Sequence, residues 1–438
     1  MRIYPVIITL LIISFSKVSD AAVATLGACD MREAKIVYQL SGPEIGAAQP
    51  KITFKKEGDT AEVPAIILNF PTPQNFHTGK AAFPNLLPDS KYEYFIKSED
   101  GSKILSKGAF KTKPDYEGRT PPPEFTFLLF GSAYDNQQPF DPPFRTNGGE
   151  YEIFDAAKSL NPAFAIWADG ATMLKRADCD SRSGIFARYI NARNLDKQKD
   201  FLANVPNYGV FSKSSTGVKN ISAKSKTNAA EAFDTFWANP ESTVENCKAY
   251  SFEYADAEFF VLDDVSNRDT LDFSESVPQF LGERQLHWLF SALANSSAKF
   301  KVVVMGSPAL NPAKSEENFT KAERERNAII EFSLSKKISG LLFLSAGKPY
   351  GEITRLVRAG AYPIFDVTAG PVTARPAEET SELNYFRLPN SGTFKRSFVK
   401  IDVIGPENSR EIKFTFIDSK GTAGFSTSIK ESDMNTFE

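Results

Sequence analysis

Phe125-Thr126-Phe127-Leu128-Leu129-Phe130-Gly131 and, further along, Ala163-Phe164-Ala165-Ile166-Trp167-Ala168-Asp169 are continuous apolar runs, each the length of a strand. Apolar runs without a polar face belong to strands covered on both sides, so these predict a sheet buried between layers. Between them, residues 151–160 carry helical spacing. The texture repeats downstream. Strands are expected at 208–212, 300–305 and 341–346, and helices at 185–193, 283–295 and 322–336. A hairpin across Ala255-Asp256-Ala257 joins 249–254 to 258–264, and the last third returns to strands at 362–367, 397–403 and 413–418. The expectation is an α/β protein, built as a layered α/β/β/α sandwich.

Upstream the pattern differs. Residues 34–39 and 91–96 alternate as half-buried strands do, and Leu86-Leu87-Pro88-Asp89-Ser90 is turn chemistry between them. A small β-sandwich is expected over residues 25–115. Residues 116–124, with Pro121-Pro122-Pro123, read as a stiff linker to a second unit spanning 125–430. The polar, acidic residues 431–438 read as a disordered tail. At the other end, Arg2 precedes an apolar run over residues 6–15, followed by small residues at Ser19, Ala21, Ala22 and Ala24. This is the pattern of a secretory signal peptide over residues 1–21, with cleavage after Ala21 or after Ala24. Leu26-Gly27-Ala28-Cys29 resembles a lipoprotein box, but it lies well beyond the apolar run, so anchoring at Cys29 is not expected. The location implied is periplasmic or extracellular.

A formal net charge of −3 gives no case for binding nucleic acid, and no other stretch is long and apolar enough to span a membrane. Three cysteines allow one disulfide at most. Cys179 with Cys247 is the candidate pair in an oxidising compartment; three buried free thiols are the alternative. Asn220, Asn295 and Asn318 begin N-x-S/T triplets. Only two histidines occur, His77 in the N-terminal part and His287 on a predicted helix. Neither is placed to hold a metal or to protonate a leaving group.

With the strands placed, their ends can be compared with a family. Gly131-Ser132-Ala133-Tyr134-Asp135-Asn136-Gln137, Asp178-Cys179-Asp180-Ser181-Arg182-Ser183-Gly184 and Phe259-Phe260-Val261-Leu262-Asp263-Asp264 follow one another in order. So do a helix closing near Pro240, Leu281-Gly282-Glu283-Arg284-Gln285-Leu286, Leu310-Asn311-Pro312 and Gly360-Ala361-Tyr362-Pro363. Together these blocks resemble the PhoD-like alkaline phosphatases and phosphodiesterases over residues 26–430. The resemblance implies export, an N-terminal fibronectin-like domain and a metallophosphatase-like second domain. Members of that family use calcium and iron or related divalent metals.

The metal-binding blocks depart from the family. Ala133 stands at the position of a ligand cysteine. In the family's G-D-N-x-Y block, Gly170 takes the aspartate position, Ala171 the asparagine and Met173 the tyrosine. Asp169 comes one residue early, and on an extended strand end its side chain is expected on the opposite face. The block W-D-D-H-D-Y-G reads Phe211-Ser212-Lys213-Ser214-Ser215-Thr216-Gly217, so Ser212 and Ser214 replace an acid and the histidine. The block S-G-D-R-H-H reads Ser345-Ala346-Gly347-Lys348-Pro349-Tyr350, with Gly347 and Pro349 at ligand positions. A two-metal centre needs a bridging carboxylate and several anionic or imidazole donors. The resemblance therefore implies a catalytically inactive pseudo-phosphatase with no metal cofactor and no catalytic residues, acting as a binding or structural protein.

Candidate pocket residues around the former mouth are Tyr134, Asp169, Lys213, Ser214, Arg268, Lys348 and Tyr350, with Lys213 and Lys348 as a conceivable anion site. The partner is an unknown protein or a small anionic ligand. The competing reading is an exported phosphodiesterase or alkaline phosphatase whose metal site has been rebuilt from Asp178, Asp180, Asp263, Asp264 and Glu352. Against it, Asp263-Asp264 can cap a turn, and Glu352 is expected on a surface segment.

Overall fold

A computed structural model describes residues 21–437 apart from 45–48, 138–139, 143, 218–222, 269–277 and 316. The apolar run of the expected signal peptide and Asn220 lie outside the described residues.

The alternation of residues 34–39 and 91–96 becomes two antiparallel four-stranded sheets. One runs Ala22–Cys29, Glu33–Leu40, Thr78–Pro84, Ile66–Asn69; the other Val63–Pro64, Lys51–Lys56, Lys91–Lys97, Ile104–Lys111. Their inward residues, among them Ile36, Tyr38, Phe54, Phe83, Tyr94 and Phe110, form one core, which makes the unit a β-sandwich.

The second unit holds two six-stranded sheets. In the first, Asn207–Gly209, Phe164–Trp167 and Phe125–Phe130 pair in parallel, and Ser397–Ile404, Glu411–Asp418 and Ala423–Lys430 continue antiparallel. In the second, Ala257–Val261, Phe300–Val304, Leu341–Ser345 and Ala361–Thr368 are parallel, flanked antiparallel by Tyr250–Tyr254 and Glu352–Arg358. The apolar run at 125–130 is covered on both faces, as a strand of period two requires. Phe127 and Leu129 join the core shared with the second sheet, while Leu128 and Phe130 join the core under helices Ile153–Ser159, Arg182–Arg193, Asp196–Asn204 and Ala223–Phe236. Leu289, Leu293 and Ile329 of helices Glu283–Asn295 and Glu323–Ser335 cover the second sheet. The architecture is the expected α/β/β/α sandwich behind a β-sandwich.

Two expectations, for the tail and for Glu352, need correction, and the cysteine alternatives and the N-x-S/T triplets gain a structural reading. The tail is not disordered: residues 431–434 form a 3-10 turn, Met434 is buried and accepts a hydrogen bond from the Gly340 amide, and Phe437 packs edge-on against Tyr362. Polarity there hides two apolar anchors. Cys179 and Cys247 form no disulfide; both are buried free thiols, Cys179 hydrogen-bonded to Thr216 O and Cys247 in a separate small cluster with Val244 and Ala249. Glu352 is not on a surface segment but opens strand Glu352–Arg358, fully buried. Asn318 is fully buried as well, so it is no glycan acceptor, whereas Asn295 is exposed.

Lys80 is one of several residues that join the two units, beside Tyr94 on the Ala203 carbonyl and Asn207 on the Leu26 carbonyl. The Lys80 ammonium leaves the sandwich to donate to the Trp237 carbonyl (2.7 Å) and the Asp234 carbonyl at the C-terminal end of helix Ala223–Phe236. A cation belongs at that end of a helix.

Candidate functional site

The carboxyl ends of the parallel strands of both sheets converge on one place. Ser132 follows strand Phe125–Phe130, Asp169 follows Phe164–Trp167, and Ser212 to Ser214 follow Asn207–Gly209. Asp264, Gly306 and Gly347 follow three strands of the second sheet. The loops are tied by backbone bonds, Met173 N to Ala133 O (2.9 Å) and Leu174 N to Ser214 O (3.0 Å). Outside strand ends is where sheets of this kind bind ligands, and a cavity of about 1240 Å³ opens there. Of the seven candidate pocket residues, Asp169, Lys213, Ser214, Lys348 and Tyr350 line it.

Asp169 anchors the floor. The Ser132 hydroxyl donates to one carboxylate oxygen (2.8 Å) and the Ser212 hydroxyl to the other (3.1 Å). Burial raises the Asp169 pKa, while hydrogen bonds from Ser214, Ser132 and Ser212 pull against that rise. Its side chain therefore points into the site, not to the opposite face. The strand ends at Trp167, so alternation no longer governs residue 169.

The lysines that replace family residues are both paired. Lys213 Nζ lies 3.2 Å from Glu317, and Lys348 Nζ lies 2.7 Å from Glu382. Lys348 also donates to the Ser315 hydroxyl at 2.9 Å. The other Glu382 oxygen accepts from Asn311 (2.7 Å), Asn318 (3.3 Å) and the Tyr350 hydroxyl (3.3 Å). Burial pushes both glutamates up, but the lysine contacts outweigh it and leave Glu317 and Glu382 below the usual carboxylate range. Nothing in the sequence pattern singled out Glu317 or Glu382.

Two of the seven candidates fall outside the cavity. Tyr134 is buried beside it, its hydroxyl donating to Asp141 and its ring under Lys175 and Arg188. The Arg268 guanidinium stacks on the Phe280 ring at 3.6 Å.

The acids of a rebuilt metal site do not gather. Asp178 pairs with buried Arg188 at 3.2 Å, and Asp180 is exposed. Asp263 accepts from the amides of Val265, Ser266 and Lys248, the turn-capping role open to it. Glu352 pairs with Arg387 at 2.5 Å and accepts from Asn311 and Asn384. Asp264 alone is uncommitted: it is fully buried and neither oxygen has a well-directed hydrogen bond. Burial pushes its carboxyl up to about 6, with Arg268 and the Ser307 hydroxyl pulling the other way and Asp169 adding to the rise.

The positions that the resemblance sets as ligands are poor in donors. Ala133, Gly170, Ala171 and Gly347 carry no donor side chain, and Ser212 is spent on Asp169. Among the described residues, no group of three or more His, Cys, Asp or Glu side chains is arranged to hold a metal ion. His287 is exposed on its helix, and His77 sits in a left-handed turn (φ 59°) of the sandwich.

The fold is that of a metallophosphatase. It is similar to the solved structure of PhoD, with a TM-score of 0.71 and 15% identity over 94% of this chain and 91% of that one. It is also similar to the purple acid phosphatase PPD1 from yellow lupin (Lupinus luteus) seeds, with a TM-score of 0.67 and 14% identity over 94% of this chain and 74% of that one. No protein-family profile and no curated protein sequence matches the chain.

Proposed function

We propose that the chain is an exported, non-hydrolytic relative of the PhoD-like phosphatases that uses the former active-site mouth to bind a ligand or partner. One observation carries the reading. The space between the strand ends is knit by contacts within the protein itself: Asp169 with Ser132 and Ser212, Lys213 with Glu317, Lys348 with Glu382. A working two-metal enzyme instead needs a bridging carboxylate and further donors at these strand ends, to activate water and clamp both reacting oxygens. Here Asp169, Lys213 and Lys348 are each held by another side chain, and Asp264 is left without a well-directed hydrogen bond. The cavity above them persists, and a cavity of that size accommodates a drug-sized ligand, which needs roughly 300–1,000 Å³.

Export fits the sandwich. Cleavage after Ala21 leaves strand Ala22–Cys29 whole, whereas cleavage after Ala24 removes three of its buried residues. Cys29 is buried at the end of that strand, a poor place for a lipid. Among the described residues no helix is long and apolar enough to cross a membrane.

The test is metal content of the purified mature protein, with hydrolysis of a generic phosphodiester in added calcium, iron or zinc. Neither stoichiometric metal nor turnover is expected. Bound metal with turnover would return the chain to the hydrolases.

A further inference from the structure

The lysines on the floor are neutralised, but the mouth is not. Lys213 and Lys348 have their glutamates, and Lys175 is tied to Asp141. Among the described residues, Arg176 and Arg375, which also line the cavity, have no acidic partner, and both side chains are exposed. Apolar side chains line the cavity beside them, including Leu174, Pro349, Pro371, Leu383 and Tyr385. Leu383 (65% exposed) and Tyr385 (79% exposed) are large apolar side chains left in solvent on the segment that Glu382 latches to Lys348. Unpaired guanidiniums beside exposed apolar side chains at a deep cavity ask for an anion with an apolar body.

Resting on the reading of this cavity as a ligand site, we infer that its ligand is an amphiphilic organic anion. Its phosphate or carboxylate head meets Arg176 and Arg375 at the mouth, and its apolar portion lies along the Leu174–Pro349–Tyr385 wall. Inorganic phosphate is not the ligand, because the cations near the floor already hold carboxylates. Guanidinium suits the head group, since its fork pairs two oxygens at once. Among the described residues the floor offers no unpaired lysine to compete for the head group, since Lys213 and Lys348 hold Glu317 and Glu382.

The probe is dodecyl phosphate, kept below its micelle concentration and titrated calorimetrically into the mature protein. Inorganic phosphate and dodecyl maltoside serve as the head-only and chain-only controls. Dodecyl phosphate is expected to bind, and each control to bind at least about tenfold more weakly. Arg176→Ala with Arg375→Ala, and separately Leu383→Ser with Tyr385→Ser, should each weaken dodecyl phosphate about tenfold while leaving the melting temperature in place. These are surface positions, so folding is not at issue. Equal affinity in the arginine variant, or inorganic phosphate binding as tightly as the amphiphile, would overturn the inference. Dodecyl phosphate is also a phosphomonoester, which keeps the two readings apart. Recovering it intact supports the non-hydrolytic reading, whereas binding followed by release of dodecanol and phosphate retires that reading and leaves the ligand class standing.

Discussion

The Lys348 ammonium sits 2.7 Å from the Glu382 carboxylate, the lysine from a strand-end loop of the sheet and the glutamate from a long segment that crosses the cavity. The lysine side chain is 4% exposed and the glutamate 18%. The same segment is fastened a second time, by the Ala377 amide on the Pro349 carbonyl at 2.8 Å. The pair therefore closes one wall of the cavity and does so largely out of water, where breaking one partner costs more than a surface pair is worth.

Lys348→Ala should lower the unfolding free energy by about 2–3 kcal/mol, because Glu382 keeps its burial and loses its cation. Combined with Glu382→Gln in a double-mutant cycle, the pair should show a coupling of about 1 kcal/mol or more. Amide exchange over residues 377–386 should accelerate in the single lysine variant. A coupling near zero would mean the two side chains stabilise the protein independently.

Asp264 gives the stability a pH signature. Its folded pKa is pushed up to about 6, above the ordinary value of 3.8. A carboxyl whose folded pKa is raised contributes stability that is fully present below the unfolded value and lost as pH rises through the folded one. Its contribution therefore declines between about pH 4 and pH 6, and Asp366, also pushed up to about 6, declines in the same window. Asp264→Asn removes one of the two. Relative to the wild type, the variant should gain on the order of 2 kcal/mol on going from pH 4 to pH 8. Denaturant midpoints at both pH values measure this; an unchanged difference would show that Asp264 does not titrate in that range.

Phe130 is the hinge between core and site. It is fully buried, 4.5 Å from the Trp167 ring and 5.3 Å from Phe201, and it stands two residues before Ser132. Phe130→Ala should cost about 3–5 kcal/mol, seen as a lower denaturant midpoint with the slope unchanged. A change in slope instead would point to a second unfolding step.

The layered fold was legible because it is carried by local pattern. The helix expected at 283–295 is the observed Glu283–Asn295, and the runs at 125, 163, 300 and 341 all became buried strands. What escaped has physical reasons. Helix Asp196–Asn204 starts after Leu195 with no side-chain cap, so it sends no start signal. Strand Ala423–Lys430 is a polar edge strand with a glycine, where packing does not demand apolar residues. Within the site, positions following strand ends came together because the fold places them. Their partners did not announce themselves: Glu317 is 104 residues from Lys213 and Glu382 is 34 from Lys348, distances over which no periodicity speaks.

Restoring the missing acids one at a time should fail, and unequally. The resemblance sets Gly170 and Gly347 at metal-binding positions, and both have left-handed backbones, φ 72° and φ 81°. A side chain at either position is strained before any ligand is considered. The surroundings then separate them. A Cβ on Gly170 would come 3.1 Å from the Ser215 hydroxyl, which can swing aside, whereas one on Gly347 would come 2.6 Å from the Gly306 carbonyl oxygen, which is backbone. Gly170→Asp should therefore cost about 1 kcal/mol and Gly347→Asp about 3 kcal/mol, the second carrying strain plus displacement of a strand end. Neither variant should retain stoichiometric zinc or iron after dialysis, since one added carboxylate among Ala133, Ser212 and Ser214 leaves two ions without the further anionic or imidazole donors they need. Equal costs would mean the Gly306 loop yields freely. Metal retained by Gly170→Asp would mean the donor set is one carboxylate short of working rather than dismantled.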